Sequence, residues 1–194
     1  MNRRDALSRV ALILGGTVVG ANAFLEGCKP ADKKTGDDGK PVALFAATDS
    51  AYLDEIAETI IPATDTPGAK AAKVGAFMTV MVTDCYTEAD QKIFVEGMKL
   101  LDEASKKKNS KSFMDSSAEE RKSLLLEIDK EAKDYMAAKK NDDPKHYFRM
   151  MKELTLLGYF TSEPGATQAL RYVAVPGKYE GCIPYKKGDR AWAS

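Results

Sequence analysis

The chain has 194 residues, with 29 basic and 29 acidic side chains, a single histidine and three cysteines. A formal net charge of zero gives no long-range field for nucleic acid or an anionic membrane surface, which sets nucleic acid aside as a partner. Removing residues 1–27 as a targeting segment leaves 26 basic against 27 acidic residues, on a mature length of about one domain that buries roughly two thirds of its unfolded surface.

The N-terminus carries the targeting signal. Residues 2–9 form a charged n-region with paired Arg3-Arg4, and Val10 to Phe24 follows without a charge. Fifteen helical residues span about 22 Å, short of the ~30 Å apolar core of a bilayer, so the run reads as a signal h-region rather than an anchor. Arg3 and Arg4, with glycines and a threonine weakening the apolar run, resemble a twin-arginine signal, the route for folded cargo. The alternative is a general secretory signal with an incidental Arg pair. Leu25-Glu26-Gly27-Cys28 resembles a lipobox, with Glu26 off the pattern, which makes Cys28 a lipidation candidate; the alternative is an unprocessed signal with an incidental cysteine. The expected location is periplasmic, tethered to a membrane where Cys28 carries lipid. Lys29 to Pro41 is polar and rich in Gly, Pro and charge, and residues 28–47 read as a tether.

From residue 48 the pattern is helical. Leu53, Ile56, Ala57, Ile60 and Ile61 make one apolar stripe, preceded by the caps Thr48-Asp49-Ser50 and stopped by Pro62. After a Pro/Gly turn, Val74, Phe77, Met78, Met81 and Val82 predict a second helix over about 69–83. Thr87-x-x-Asp90 opens a third with Phe94, Gly97, Met98 and Leu101 on its face, and Lys106-Lys107-Lys108 suits its C-terminal dipole end. Ser117-x-x-Glu120 caps a fourth that carries Leu124, Leu125, Ile128, Ala132 and Tyr135. Asp143-Pro144 predicts the start of a fifth, with Tyr147, Met150, Met151 and Leu154 on its stripe. Past Leu157 the helical period stops, apart from a short helix near 166–172. The predicted fold is an all-α bundle of about five helices with an irregular C-terminal tail, over residues 48–194.

Chemistry is sparse. His146 has no Glu-x-x-His context for a di-iron bundle and no second histidine for zinc, and reads as a partly packed residue at a helix start. No Cys-x-x-Cys, phosphate loop, dinucleotide fingerprint or nucleophile elbow is present. The acidic pairs Glu119-Glu120 and Asp142-Asp143 read as helix-start charges. No catalytic, cofactor-binding or metal-ligating residue is assigned. Cys85 and Cys182 are disulfide candidates in an oxidising compartment; pairing them closes nearly a hundred residues, for about 4.7 kcal/mol in the chain-entropy model. The other reading is a bond from Cys182 to a partner chain. Tyr159, Phe160, Tyr172, Tyr179, Ile183, Tyr185 and Trp192 are large side chains in irregular sequence, and each either covers the core or anchors a partner.

The tail also carries a resemblance. Gly158-Tyr-Phe-Thr-Ser-Glu163, Leu170-x-Tyr172 and Val175-Pro-Gly-x-Tyr179-x-Gly-Cys182-x-Pro184, together with Ile60-Ile61-Pro62-x-Thr64-Asp65-x-Pro67-Gly68-Ala69 and Asp84-Cys85-Tyr86, resemble the gluconate 2-dehydrogenase subunit 3 family. The resemblance implies the small (gamma) subunit of a periplasmic dehydrogenase complex. It places FAD in a separate large subunit of the glucose-methanol-choline oxidoreductase type, adds a multihaem cytochrome c as a further partner, and gives the small subunit a part in folding and export of the large one. It carries no catalytic residue over to this chain. The competing reading is a stand-alone exported lipoprotein with a helical binding module.

Overall fold

The computed structural model describes residues 44–175, 177–178 and 181–193. These form a bundle of five α-helices: α1 (Asp49–Ile60), α2 (Val74–Cys85), α3 (Glu88–Asn109), α4 (Ala118–Ala138) and α5 (Tyr147–Phe160). A π-helical turn, Gly165–Ala169, follows. Among the described residues there is no strand, only one isolated bridge between Arg171 and Trp192. The all-α class predicted from the 3.6-residue period is the class observed.

Each stripe turns inward. Leu53, Ile56 and Ala57 of α1, Val74, Met78 and Val82 of α2, Phe94, Met98 and Leu101 of α3, and Leu124, Leu125, Ile128 and Ala132 of α4 are all buried. α5 is the central helix and packs against the other four. It buries Phe148, Met150, Met151, Leu154 and Tyr159, and so supplies residues to the core over about half of its circumference. Gly97 makes one of these contacts close. A Cβ there would stand 2.4 Å from Cβ of Tyr147, so only a bare backbone lets the Tyr147 ring lie on α3. Burial pushes the Tyr147 phenol up to about 12, so it stays protonated at any physiological pH.

The helix starts follow local chemistry. Thr87 Oγ1 accepts the Asp90 N–H at 3.3 Å. Ser117 and Glu120 form a complete capping box, in which the Ser117 N–H donates to Glu120 Oε2 at 2.7 Å and the Glu120 N–H donates to Ser117 Oγ at 3.3 Å, so two orphan amides are satisfied. Several expected boundaries move. α2 begins at Val74 rather than near residue 69, because the chain turns through Lys73 in the left-handed region (φ 55°). α5 begins at Tyr147 rather than at Asp143-Pro144. Asp143 Oδ2 instead accepts the Lys140 N–H at 2.8 Å, and the Pro144 carbonyl accepts the Tyr135 hydroxyl at 3.0 Å, so Asp142-Asp143 belong to a turn and not to a helix start. The packed region also reaches back into the expected tether: Leu44 and Phe45 lie against the core, with Phe45 edge-on to Phe94 at 6.1 Å.

One ion-paired node ties α1 to α4. The Arg121 guanidinium donates to Glu55 Oε2 at 2.5 Å, to the Phe113 carbonyl at 2.9 Å and to the Met114 carbonyl at 2.5 Å. Lys70 reaches Glu55 from the α1–α2 loop. The Lys70 hydrogen bond, helped by Arg121 and opposed by burial, holds the Glu55 carboxyl below its ordinary value. Glu58 fixes the same loop by accepting the Ala63 N–H at 2.9 Å and the Lys70 N–H at 2.8 Å.

His146 is the N-cap of α5: its Nδ1 accepts the Phe148 N–H at 3.2 Å. The ring stacks on Tyr147 at 4.5 Å and tilts against Tyr135 at 5.6 Å. Burial holds its pKa below the ordinary 6.5, against a weaker upward pull from Glu131. A lowered histidine pKa means that the folded state favours the neutral ring. The contribution is therefore present above pH 6.5 and is lost as pH falls through the depressed folded value, where a protonated Nδ1 no longer accepts a hydrogen bond. The lowered carboxyl of Glu55 follows the same sign at lower pH. We expect the melting temperature to drop between pH 7.5 and 5.5 in the wild type. In His146→Asn, whose amide oxygen caps at every pH, that drop is expected to shrink. Parallel pH–melting curves for the two proteins would sink this reading.

Candidate functional site

Beyond α5 the chain becomes an arm whose shape is set by two fastenings. The first is at its root. Tyr159 is buried, and its hydroxyl donates to the Pro67 carbonyl at 2.7 Å. The Ser162 hydroxyl donates to the Tyr159 carbonyl at 2.6 Å and accepts the Gly165 N–H at 3.2 Å, which starts the π turn. The second lies further out. Arg171 and Trp192 form a parallel bridge in which the Arg171 N–H donates to the Ala191 carbonyl at 2.8 Å and the Ala193 N–H donates to the Arg171 carbonyl at 2.9 Å. The Arg171 guanidinium lies 4.3 Å from the centre of the Trp192 ring and donates to the Arg190 carbonyl at 3.2 Å.

Between these points the large side chains face out. Tyr172 is 54 % exposed, Val175 82 %, Tyr185 77 % and Trp192 50 %, and Val173 and Ile183 are also exposed. Such an arm has surface for binding and contributes little to the core. Phe160, at the last turn of α5, is exposed as well, edge-on to Tyr159 at 5.2 Å. Of the interface candidates named from sequence, Phe160, Tyr172, Ile183, Tyr185 and Trp192 are thus on the surface. Tyr159 is the exception: it fills this chain's own core. Tyr179, Arg3, Arg4 and Cys28 lie outside the described residues. Cys85 ends α2 and Cys182 sits in the arm, and both are exposed free thiols that the structure does not join.

A groove of about 700 Å³ runs between the start of α1 and the middle of α3. Tyr52, Val95, Met98 and Met114 line it, with Lys99 and Glu103 at its edge. Two of its polar groups, Tyr52 and Asp102, are committed to the fold. The Tyr52 hydroxyl donates to the Met98 carbonyl at 3.2 Å, and burial raises its pKa far above the usual phenol value. Burial pulls the Asp102 carboxyl upward, but the Lys106 ammonium and the Phe113 N–H outweigh it and hold it low. The one imidazole in the chain serves as a cap. Among the described residues no group of three or more His, Cys, Asp or Glu side chains is placed to hold a metal ion, and no helix is long and apolar enough to cross a membrane.

Sequence reasoning missed Arg171 as part of the site. Its partner lies twenty-one positions away in non-periodic sequence, and only the Arg/Trp pairing chemistry hints at the contact.

Comparison with known proteins gives one match. The family model for gluconate 2-dehydrogenase subunit 3 matches residues 47–177. No curated protein and no solved structure matches at a significant level. The matched region takes in all five helices, the π turn and the base of the arm, well over half of the chain, and the chain belongs to the gluconate 2-dehydrogenase subunit 3 family.

Proposed function

We propose that this chain is the non-catalytic small subunit of an exported FAD-dependent dehydrogenase of the gluconate or sugar-oxidising kind. In this reading it binds a large flavoprotein subunit of the glucose-methanol-choline type, stabilises it, and carries it out of the cytoplasm on the twin-arginine signal of Arg3 and Arg4. FAD belongs to the large subunit, and a multihaem cytochrome c takes the electrons. Membership of a dehydrogenase subunit family supports the partnership. The observation that carries the reading is the arm: this bundle closes its core without Tyr172, Val175, Tyr185 or Trp192, yet presents all four to the outside. Exposed aromatics grouped on one segment are the composition of an interface. In the oxidising compartment to which the signal leads, the exposed thiol of Cys182 is available to Cys85 or to a thiol of the partner. Lipid on Cys28 would tether the complex.

Co-expression with the large subunit tests the escort role. The expected result is a stoichiometric complex in the periplasm, and Arg3→Lys combined with Arg4→Lys should strand both chains in the cytoplasm, with periplasmic dehydrogenase activity down at least tenfold. A large subunit that reaches the periplasm at an undiminished level without this chain removes the escort role.

A further inference from the structure

The chain divides its charge. Residues 28–170 hold 21 basic and 25 acidic side chains, whereas residues 171–194 hold five basic (Arg171, Lys178, Lys186, Lys187, Arg190) and two acidic (Glu180, Asp189). The arm is therefore a basic, aromatic segment on an acidic body. Lys186, Lys187 and Arg190 are exposed, and none has an ion pair among the described residues. Asp189 is turned to a local task, since its Oδ2 accepts the Lys186 N–H at 2.9 Å.

The bridge at Arg171 and Trp192 fastens both ends of this segment. Two backbone hydrogen bonds, one hydrogen bond from the guanidinium and a cation–π contact converge on one point. Closing a loop of about twenty residues costs chain entropy that grows with its length. A loop already closed before docking spares that cost at the moment of association. The clasp is not part of the buried core: Trp192 is half-exposed and neither Arg171 nor Trp192 belongs to the core cluster.

We infer that the Arg171–Trp192 clasp holds the arm as a closed docking loop, and that its occupant is a carboxylate-rimmed apolar groove on the large flavoprotein subunit. This rests on the partnership proposed above and goes further by assigning the surface, its chemistry and the residue pair that positions it. Tyr172, Val175, Ile183 and Tyr185 supply the apolar contact. Lys186, Lys187 and Arg190 supply the charge; in the body's own basic run, Lys106-Lys107-Lys108, Lys106 and Lys108 are engaged in ion pairs with Asp102 and Glu127. Like charge along the body turns an acidic partner surface away from other approaches, and the arm selects the orientation.

Kinetics of the full chain binding to the purified large subunit test the inference. Trp192→Ala should weaken the complex about tenfold or more, mainly through faster dissociation, while the melting temperature of the isolated chain stays within 2 °C or so of wild type. Trp192→Phe, which keeps a ring under the guanidinium, should recover most of the affinity. Lys186→Glu with Lys187→Glu should slow association about tenfold at low salt, and the difference should shrink at high salt as the charges are screened. Wild-type affinity in both the Trp192→Ala and the double lysine variants overturns the clasp while leaving the partnership standing. A wild-type chain that does not bind the large subunit at all overturns the partnership itself. A chain that instead dimerises through the arm overturns the choice of occupant.

Discussion

Tyr159→Ala is expected to lower the unfolding free energy by about 4 kcal/mol, in the range of large aromatic truncations in a core. The ring is 2 % exposed and sits where α5 meets the loop ahead of α2. Truncation would empty that site and orphan the Pro67 carbonyl, which accepts its hydroxyl at 2.7 Å. Tyr159→Phe separates the two parts of the effect. It keeps the ring and loses only the hydrogen bond, for about 1 kcal/mol, with the penalty of an unsatisfied buried carbonyl setting the upper end. Urea denaturation of the two variants measures both, and equal midpoint slopes would show that the native state, rather than the compactness of the unfolded chain, has changed. A Tyr159→Ala loss under 1 kcal/mol would return Tyr159 to the partner interface, where its neighbours in sequence lie. Its position at the root of the arm gives the result a second use. The large-subunit affinity of Tyr159→Phe should match that of wild type, because the arm beyond Ser162 is fastened by other bonds.

Tyr159 also shows where sequence reading stopped short. The stripe Tyr147, Met150, Met151, Leu154 continues through Gly158 and Tyr159, but a glycine followed by two aromatics, Thr and Ser looks like loop chemistry. The helix runs on to Phe160 because Gly158 is not a breaker there: it faces the Phe77 ring, at a spot with no room for a side chain. Close packing between helices overrode local propensity. The reverse happened at residues 69–73. Ala-Lys-Ala-Ala-Lys is strong helix-forming sequence, yet it makes turns, because Glu58 takes the Lys70 amide and Lys73 adopts a left-handed conformation to aim α2. Asp143-Pro144 fits a helix start equally well, and the carboxylate is spent instead on the Lys140 amide. What was legible was whatever depends on neighbours three or four residues apart: the buried stripes, the Thr87 cap and the Ser117–Glu120 box. What was not legible depends on contacts across the chain. The Arg171–Trp192 clasp, the Glu55–Arg121 pair and the His146 rings against Tyr135 carry no period that a local pattern could reveal.

Gly75 is such a long-range contact, and its substitution carries the other large effect expected. α1 and α2 form the most extensive helix pair of the bundle, and they approach closely because position 75 lacks a side chain. A Cβ on Gly75 would lie 2.2 Å from the Ser50 carbonyl oxygen and 2.7 Å from the Asp54 amide nitrogen. Both are backbone atoms of a helix, so no side chain can swing aside to make room, and the two helices must move apart. The same approach lets the Gly75 N–H donate to Asp54 Oδ1 at 2.7 Å, which satisfies one of the orphan amides at the start of α2. Gly75→Ala should therefore cost about 3 kcal/mol, the upper end for overpacking, despite the better helix propensity of alanine. For a domain of this size that corresponds to a fall of about 10 °C in melting temperature. Ala76→Ser, one residue on and facing solvent, should stay within about 0.5 kcal/mol. Thermal melts of the two variants decide the matter: equal midpoints would mean that α1 and α2 slide past the added methyl, and that the α1–α2 loop which accepts the Tyr159 hydroxyl is not held in place by this contact. The predicted loss implies the opposite, because α2 also packs on α5 through Phe77 and Gly158, so a shift of α2 is transmitted to the helix from which the arm departs.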